Sequence, residues 1–420
     1  MSRLRSLWLF ARFPKLDYQV WLLALGRLLS QLGSGFTLFY APIFFVNQVG
    51  LSATAVGIGV GSQALTGVVG RFLGGTWADG RWGRKRTLLL ATLVSAIAAF
   101  TLASIHNFAG LVVGSLLMGL GMGLYWPAAE ALIADLTTAL ERNEAYALNR
   151  LADSLGLGLG VVFGGLLIGA TGAYRALFVI DGVSFLVFFG IVVSKIMDSH
   201  KPTVTHTLWQ GWRVALSDRA LLVFCLVNTL LTTYIVQISS TLPLYLNNFV
   251  LVNQGFAPKT LSLLISALFT WHLVAAVFAQ MPVAKGLNRI SRIQALQIST
   301  ALWAIGFISI WCTGMAPTGQ IGLAAIALGI LALATVTYMP AAAAIVVDMA
   351  PESLRGVYLA VNSQCWAAGY FLGPTLGGWA LDQVPAVAHA FWLGLAASTT
   401  LAIAILYRLN HILQPPPPHP

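Results

Sequence analysis

Apolar runs long enough to cross a bilayer recur along this chain, and short polar breaks close each of them. Twelve such runs stand near 19–46, 52–78, 87–105, 108–135, 144–170, 175–196, 219–246, 260–283, 292–314, 319–348, 356–381 and 387–408. A helix needs roughly 20 apolar residues to span the hydrocarbon core, and there it must satisfy its own backbone hydrogen bonds. The short alternating segments of a transmembrane barrel are missing. The pattern predicts an all-α polytopic membrane protein with twelve transmembrane helices. The longest polar break, 197–218, divides six spans from six. It sets a first bundle (1–196), a linker (197–218), a second bundle (219–410) and a Pro-rich tail (411–420) that cannot be a helix interior and is expected to be disordered. The basic, aromatic N-terminus reads as an interfacial segment leading into span 1.

Composition agrees: 58% of residues are hydrophobic and 9% charged, too little polar surface for a water-soluble domain of 420 residues. The net charge of +10 could suggest nucleic acid, but the bases sit in short loops. An even number of spans places both termini on one side. Eighteen Lys and Arg fall on that side, and two, Arg175 and Lys259, on the other. This bias predicts cytoplasmic termini in a plasma (inner) membrane and no nucleic-acid partner. Cys225, Cys312 and Cys365 lie in apolar runs without metal or redox spacing. No Gly-x-Ser-x-Gly, His-Glu-x-x-His or Walker A motif appears. No metal, cofactor or enzymatic activity is expected.

The halves are related. Shifted by 213 residues, Tyr125–Gly165 lies on Tyr338–Gly378 without a gap, with 14 of 41 positions identical. Spans 4–5 thus match spans 10–11, an offset of six spans. This is a parallel repeat about an axis along the membrane normal.

Between spans 2 and 3 stands GTWADGRWGRKR, residues 75–86. Twelve spans, two parallel halves and this charged loop resemble the major facilitator superfamily, whose loop signature is Gly-x-x-x-Asp-Arg-x-Gly-Arg-Arg/Lys. Gly75 and Asp79 keep the first spacing and Arg81-x-Gly83-Arg84-Lys85 the second, with Gly80 inserted between them. The resemblance implies transport by alternating access. It also implies a cytoplasmic latch that forms when the outside is open: Asp79 against the N-terminus of span 11, and Arg84 against Asp135. The glycine motif of the drug-exporter-like branch is partial in span 5 (Gly160, Gly164, Gly165) and complete in span 11 (Gly373, Pro374, Gly377, Gly378). The arginine that exporters often carry in span 4 is absent. These glycines allow close helix packing.

Charges inside spans need a partner or a role. Depth along each helix suggests Glu130 with Arg150, and Asp153 with Arg27 or Arg71. These are structural ion pairs or, for Glu130 or Asp153, carboxylates that take up and release a proton. Asp181 reads as a local anchor near Arg175. A largely apolar, aromatic cavity is expected from Tyr40, Trp126, Tyr234, Gln237, His272, Tyr338, Asn362 and Trp366. It suits an uncharged or lipophilic cationic compound. The reading is a monomeric secondary transporter that exports a small molecule across the lipid bilayer by alternating access, with H+ as the coupling ion. The rivals are a facilitated-diffusion carrier or importer on the same fold, and a non-transporting sensor or scaffold.

Overall fold

A computed structural model describes residues 16–80, 82–138, 141–197, 208–252, 255–287, 289–351 and 354–413. The N-terminal segment before residue 16, Arg81, the side chain of Asp79 and the tail from residue 414 lie outside the described residues.

Helices dominate, and no strand occurs among the described residues. The first half comprises α1 (Tyr18–Asn47), α2 (Ala53–Gly61), α3 (Gln63–Asp79), α4 (Arg84–Ala103), α5 (Phe108–Asp135), α6 (Arg142–Thr171) and α7 (Tyr174–Lys195). A linker helix, α8 (Leu208–Ser217), precedes the second half. That half holds α9 (Arg219–Ser239), α10 (Thr241–Tyr245), a π-helical turn (Leu246–Leu251), α11 (Pro258–Leu287), α12 (Arg292–Met315), α13 (Gln320–Met349), α14 (Arg355–Leu381) and α15 (Pro385–Leu413). Eleven helical segments among the described residues are long and apolar enough to cross a bilayer. The remaining span, α14, is 27 residues long and lies between α2 of the other half and α9. Asn362, Ser363 and Gln364 interrupt its apolar run.

Two expected spans are not single helices. Span 2 breaks at Ser62, whose hydroxyl donates to Gly59 O at 2.6 Å. Span 7 passes from α9 through α10 into the π-helical turn. Part of the expected linker is itself the helix α8, with Trp212 packed against the core of the second half.

The repeat extends to interactions. Asp17 caps the N-terminus of α1 and Asp218 that of α9, each through its side chain. Arg84, first residue of α4, is ion-paired with Asp135, last residue of α5; both belong to the first half and the pair is formed while Asp382 clamps α2, which corrects the expectation that this bond forms when the outside is open. Arg292, first residue of α12, approaches Asp348 near the end of α13 at 3.8 Å.

The membrane-crossing bundle has a near face, which carries the linker and the chain ends, and a far face. At the near face two bases of the 75–86 loop, Arg84 and Lys85, serve as helix caps. Gly83 starts α4 from a left-handed conformation, φ +84°, that favours glycine. Arg84 also donates to Ala131 O at 2.8 Å. Lys85 Nζ donates to Val193 O and Ile196 O at 3.1 and 2.6 Å, closing the end of α7. Each cation thus meets the negative end of a helix dipole.

Candidate functional site

The centre of the first half is an ion pair. Glycines let α1 and α6 approach: a Cβ at Gly156 would meet Leu28 O at 2.5 Å, and one at Gly160 would strike Leu32 O and come within 2.8 Å of Gly35 Cα. One turn nearer the near face, this contact places Arg27 of α1 on Asp153 of α6. Arg27 Nε donates to Oδ1, and Nη2 donates to Oδ2 at 2.6 Å. The guanidinium stacks on α5, 4.0 Å from the Trp126 ring centroid and 5.1 Å from that of Tyr125. Arg27 thereby satisfies both its charge and its planar face, the second by a cation–π contact worth up to about 2 kcal/mol when desolvated. Its side chain is 5% exposed and that of Asp153 18%, so the carboxylate is the more accessible partner.

The second half repeats this position without charge. Arg27 stands ten residues after its helix cap Asp17, and Asn228 ten after its cap Asp218. Asn228 Nδ2 donates to Asn362 Oδ1 at 2.7 Å, and Tyr338, the repeat partner of Tyr125, donates to Asn228 Oδ1 at 2.6 Å. The repeat partner of Asp153 is Trp366, whose ring packs against Tyr338 and Tyr370. An Arg–Asp–Tyr centre on one side therefore faces an Asn–Asn–Tyr centre on the other.

Several predicted residues fall elsewhere. Glu130 and Arg150 are exposed and form no ion pair with each other. Arg71 does not join Asp153; it is exposed and lies within electrostatic reach of Tyr370 on α14, a residue that sequence reasoning missed. Five expected cavity residues are sealed, which corrects the sequence expectation. Tyr40 donates to Val161 O at 3.0 Å in the packed far half. Tyr234 bonds Ser398 within an aromatic cluster with Trp303 and Phe307. Gln237 donates to Gly373 O, and His272 Nδ1 is 2.9 Å from Leu328 O. Tyr338 is held by Asn228. Each spends its polar group on a neighbouring helix. Trp126, Asn362 and Trp366 remain partly exposed. Asp181 does not anchor Arg175, which donates instead to Ala103 O and Ile105 O. Among the described residues no cluster of His, Cys, Asp and Glu could hold a metal.

The halves meet on the far side of the bundle. Asn47 and Asn248 exchange amide hydrogen bonds at 2.9 and 3.0 Å. Ser266 of α11 donates to Val161 O of α6 at 3.1 Å. Asp382, the C-cap of α14, accepts from the first two amides of α2: Ala53 N to Oδ1 and Thr54 N to Oδ2, both at 2.7 Å. Below this clamp α2 and α14 touch backbone to backbone. A Cβ at Gly57 would strike Pro374 O, and one at Gly378 would strike Ala53 O. The seam leaves a gap of about 20 Å³, room for roughly one water. Toward the near face a Cβ at Gly158 of α6 would meet Leu273 of α11 at 3.8 Å, and one at Gly75 or Gly286 would meet nothing within 4 Å. Among the described residues the hydrogen bonds between the halves named above lie at the far face. Among the motif glycines, Gly160 serves packing within the first half, and Gly164 packs on the Tyr40 ring. Gly165 packs on Ser266 and Gly378 on Ala53, both across the halves. Gly373 and Gly377 pack on Val236 and Thr241 within the second half.

Comparison with known proteins bears on this arrangement. A sequence model of the Major Facilitator Superfamily matches residues 23–257 and 248–420. The chain is 26% identical over 346 residues to the multidrug resistance protein MdtH of Photorhabdus laumondii, covering 81% of each chain. It is 22% identical over 402 residues to the uncharacterized MFS-type transporter YqjV of Bacillus subtilis, covering 92% of this chain and 93% of the other. With the quinolone resistance protein NorA of Staphylococcus aureus it shares 25% identity over 190 residues, 45% of this chain and 48% of NorA. Among solved structures it resembles the nucleoside transporter NupG with a TM-score of 0.79 at 14% identity, covering 94% of this chain and 99% of that one. The D-xylose–proton symporter gives 0.72 at 17% identity, covering 93% and 97%. These two likenesses concern the fold.

Proposed function

This chain belongs to the major facilitator superfamily, and from that premise we propose that it is a proton-coupled exporter of small, lipophilic cations in the plasma (inner) membrane. The charge bias makes the near face cytoplasmic, with both termini there, so the described conformer is inward-facing. Its substrate enters from the cytoplasm between Arg71, Trp126, Asn362, Trp366 and Tyr370. The aromatic faces suit a delocalised cation, and the amide pair offers neutral hydrogen bonds.

One observation carries this reading: the buried Arg27 is held by an Asp153 that is itself partly open, 18% against 5%. A proton and a cationic substrate can therefore compete for the same carboxylate. When Asp153 is protonated, Arg27 keeps its stacking on Trp126 and Tyr125 but loses its counter-ion. When Asp153 is ionised, it can hold an incoming cation together with Arg27 or in its place. Competition for one carboxylate, with access alternating between faces, gives antiport. Homologues named for multidrug and quinolone resistance support the direction of transport.

The test is flux in vesicles containing the full chain, with ethidium as the probe cation. Wild type should accumulate ethidium when a pH gradient is imposed, acid on the receiving side. Asp153→Asn should lose that dependence but keep downhill exchange, Asp153→Glu should retain both, and Glu130→Gln should resemble wild type. Gradient-driven accumulation in Asp153→Asn would overturn the assignment.

A further inference from the structure

Asp181 lies in the outer part of α7, 0% exposed, and neither carboxyl oxygen has a hydrogen-bond partner. Two helices pack on α7 there, α1 and α4. From α1, Gly33 is pressed so close that a Cβ would strike Asp181 Oδ1. Thr37, one turn on, faces the carboxyl with its hydroxyl. From α4, the Phe100 ring covers the adjacent Gly182.

No cation compensates the group. Arg27, the charged residue within α1, is committed to Asp153. Beyond Arg86 at its near-face start, α4 carries no charged residue. On α7 itself, Arg175 spends its donors on Ala103 O and Ile105 O, at 2.5 and 3.0 Å. The hydroxyls beside the carboxyl are also committed as donors. Thr37 Oγ1 donates to Ser34 O at 3.1 Å, and Ser184 Oγ to the backbone carbonyl of Asp181 at 2.7 Å. With those hydrogens spent, the hydroxyls present lone pairs to the carboxyl. A carboxylate only accepts, whereas a carboxylic acid can donate. As arranged here the pocket suits the acid form, and an unpaired carboxylate in a dry interior is strongly disfavoured.

We propose that Asp181 is a proton-binding site, loaded in this conformer, and that α1 seats against α7 as seen here only when the proton is bound. The outer part of α1 also carries far-face contacts between the halves, Asn47 with Asn248 and Phe39 with Phe269. Closure of the far face is thereby linked to one proton. The sign follows: the closed conformer holds this proton more tightly than one in which water reaches the carboxyl. Acid favours the closed far face and alkali the open one. This site is separate from the exchange at Asp153, and it depends on the transporter reading only in that the far face must open.

The test uses the full chain in lipid nanodiscs and needs no substrate. Infrared spectra at neutral pH should contain a protonated-carboxyl band that is lost in Asp181→Asn. Spin labels at Gln48 and Val252, in a background lacking the three native cysteines, report the far-face separation as pH is raised. Wild type should gain open far-face population by up to tenfold per pH unit once the proton begins to leave. Asp181→Asn, an isosteric mimic of the loaded form, should stay closed across the range. Thr37→Val removes an acceptor for the acid, so its opening should begin at lower pH; this variant also serves if Asp181→Asn fails to fold. Absence of the band, or the same pH response in Asp181→Asn as in wild type, overturns the proposal. Loss of the response in Asp153→Asn but not in Asp181→Asn would assign it to Asp153 instead and also overturn it.

Discussion

Replacing Asp382 with asparagine should open the far face. The carboxylate accepts one amide on each oxygen, both at 2.7 Å, from the N-terminus of a helix in the other half. Asparagine keeps one acceptor and loses the charge. A hydrogen bond to a charged group contributes about 1.5–3 kcal/mol, and an anion at a helix N-terminus about 0.3–1 kcal/mol. One of the two donors, Thr54 N, is solvent-exposed, so the lower part of this range applies. A loss of about 1.5–2 kcal/mol shifts the closed-to-open ratio by about 10- to 30-fold. Spin-label distances between Gln48 and Val252 read that ratio directly. Asp382→Ala, which removes both acceptors, should shift it further. If closure is so dominant that a 30-fold change leaves little open population, the same substitutions in a Gly57→Ala background bring the ratio into range. Identical distance distributions for wild type, Asp382→Asn and Asp382→Ala in both backgrounds would refute the reasoning.

Gly57→Ala alone places a methyl against the Pro374 carbonyl and should weaken closure by about 1–3 kcal/mol, read as greater labelling of far-face cysteines. Gly75→Ala meets open space and should leave the distances and the melting temperature of the conformer closed at the far face unchanged. Arg27→Ala leaves the half-buried Asp153 carboxylate without its counter-ion and should destabilise the protein by up to about 3 kcal/mol; Arg27→Ala with Asp153→Ala should recover much of the lost melting temperature. Arg84→Ala should lower thermal stability more than Arg292→Ala, because the side chains of the second pair are 46% and 62% exposed and such a pair is worth about 0–1 kcal/mol.

Much of this was legible in the sequence, and what was not has a common cause. Span number and the parallel repeat follow from hydropathy and from matched residues, and both concern position along the chain. Depth also put Asp153 level with both Arg27 and Arg71, and the parallel run of α1 beside α6 selects Arg27. Depth does not fix helix rotation. Glu130 and Arg150 share a depth yet are exposed and not paired with each other, and Tyr40, Tyr234 and Gln237 turn into packed faces rather than the cavity. Asp181 was misread for the same reason: six residues from Arg175 is about one and two-thirds turns, which sets the two about 120° apart around α7. The clamp at Asp382 left a faint signal, an acid ending a span beside a glycine motif. Its partner lies 329 residues away and is a backbone amide, which no residue type announces.

The antiparallel arrangement of α2–α3 and α14 has a consequence for how populations are set. Each member of the pair ends on an acid, Asp79 at the near-face end of α3 and Asp382 at the far-face end of α14. If Asp79 meets the start of α14 in the opposite conformer as Asp382 meets α2 here, the transporter is a beam with chemically matched weights at its two ends. The balance point then depends on a small difference between two similar quantities. Changing either acid would re-tune the cycle while leaving the substrate walls untouched, so turnover and specificity could vary independently.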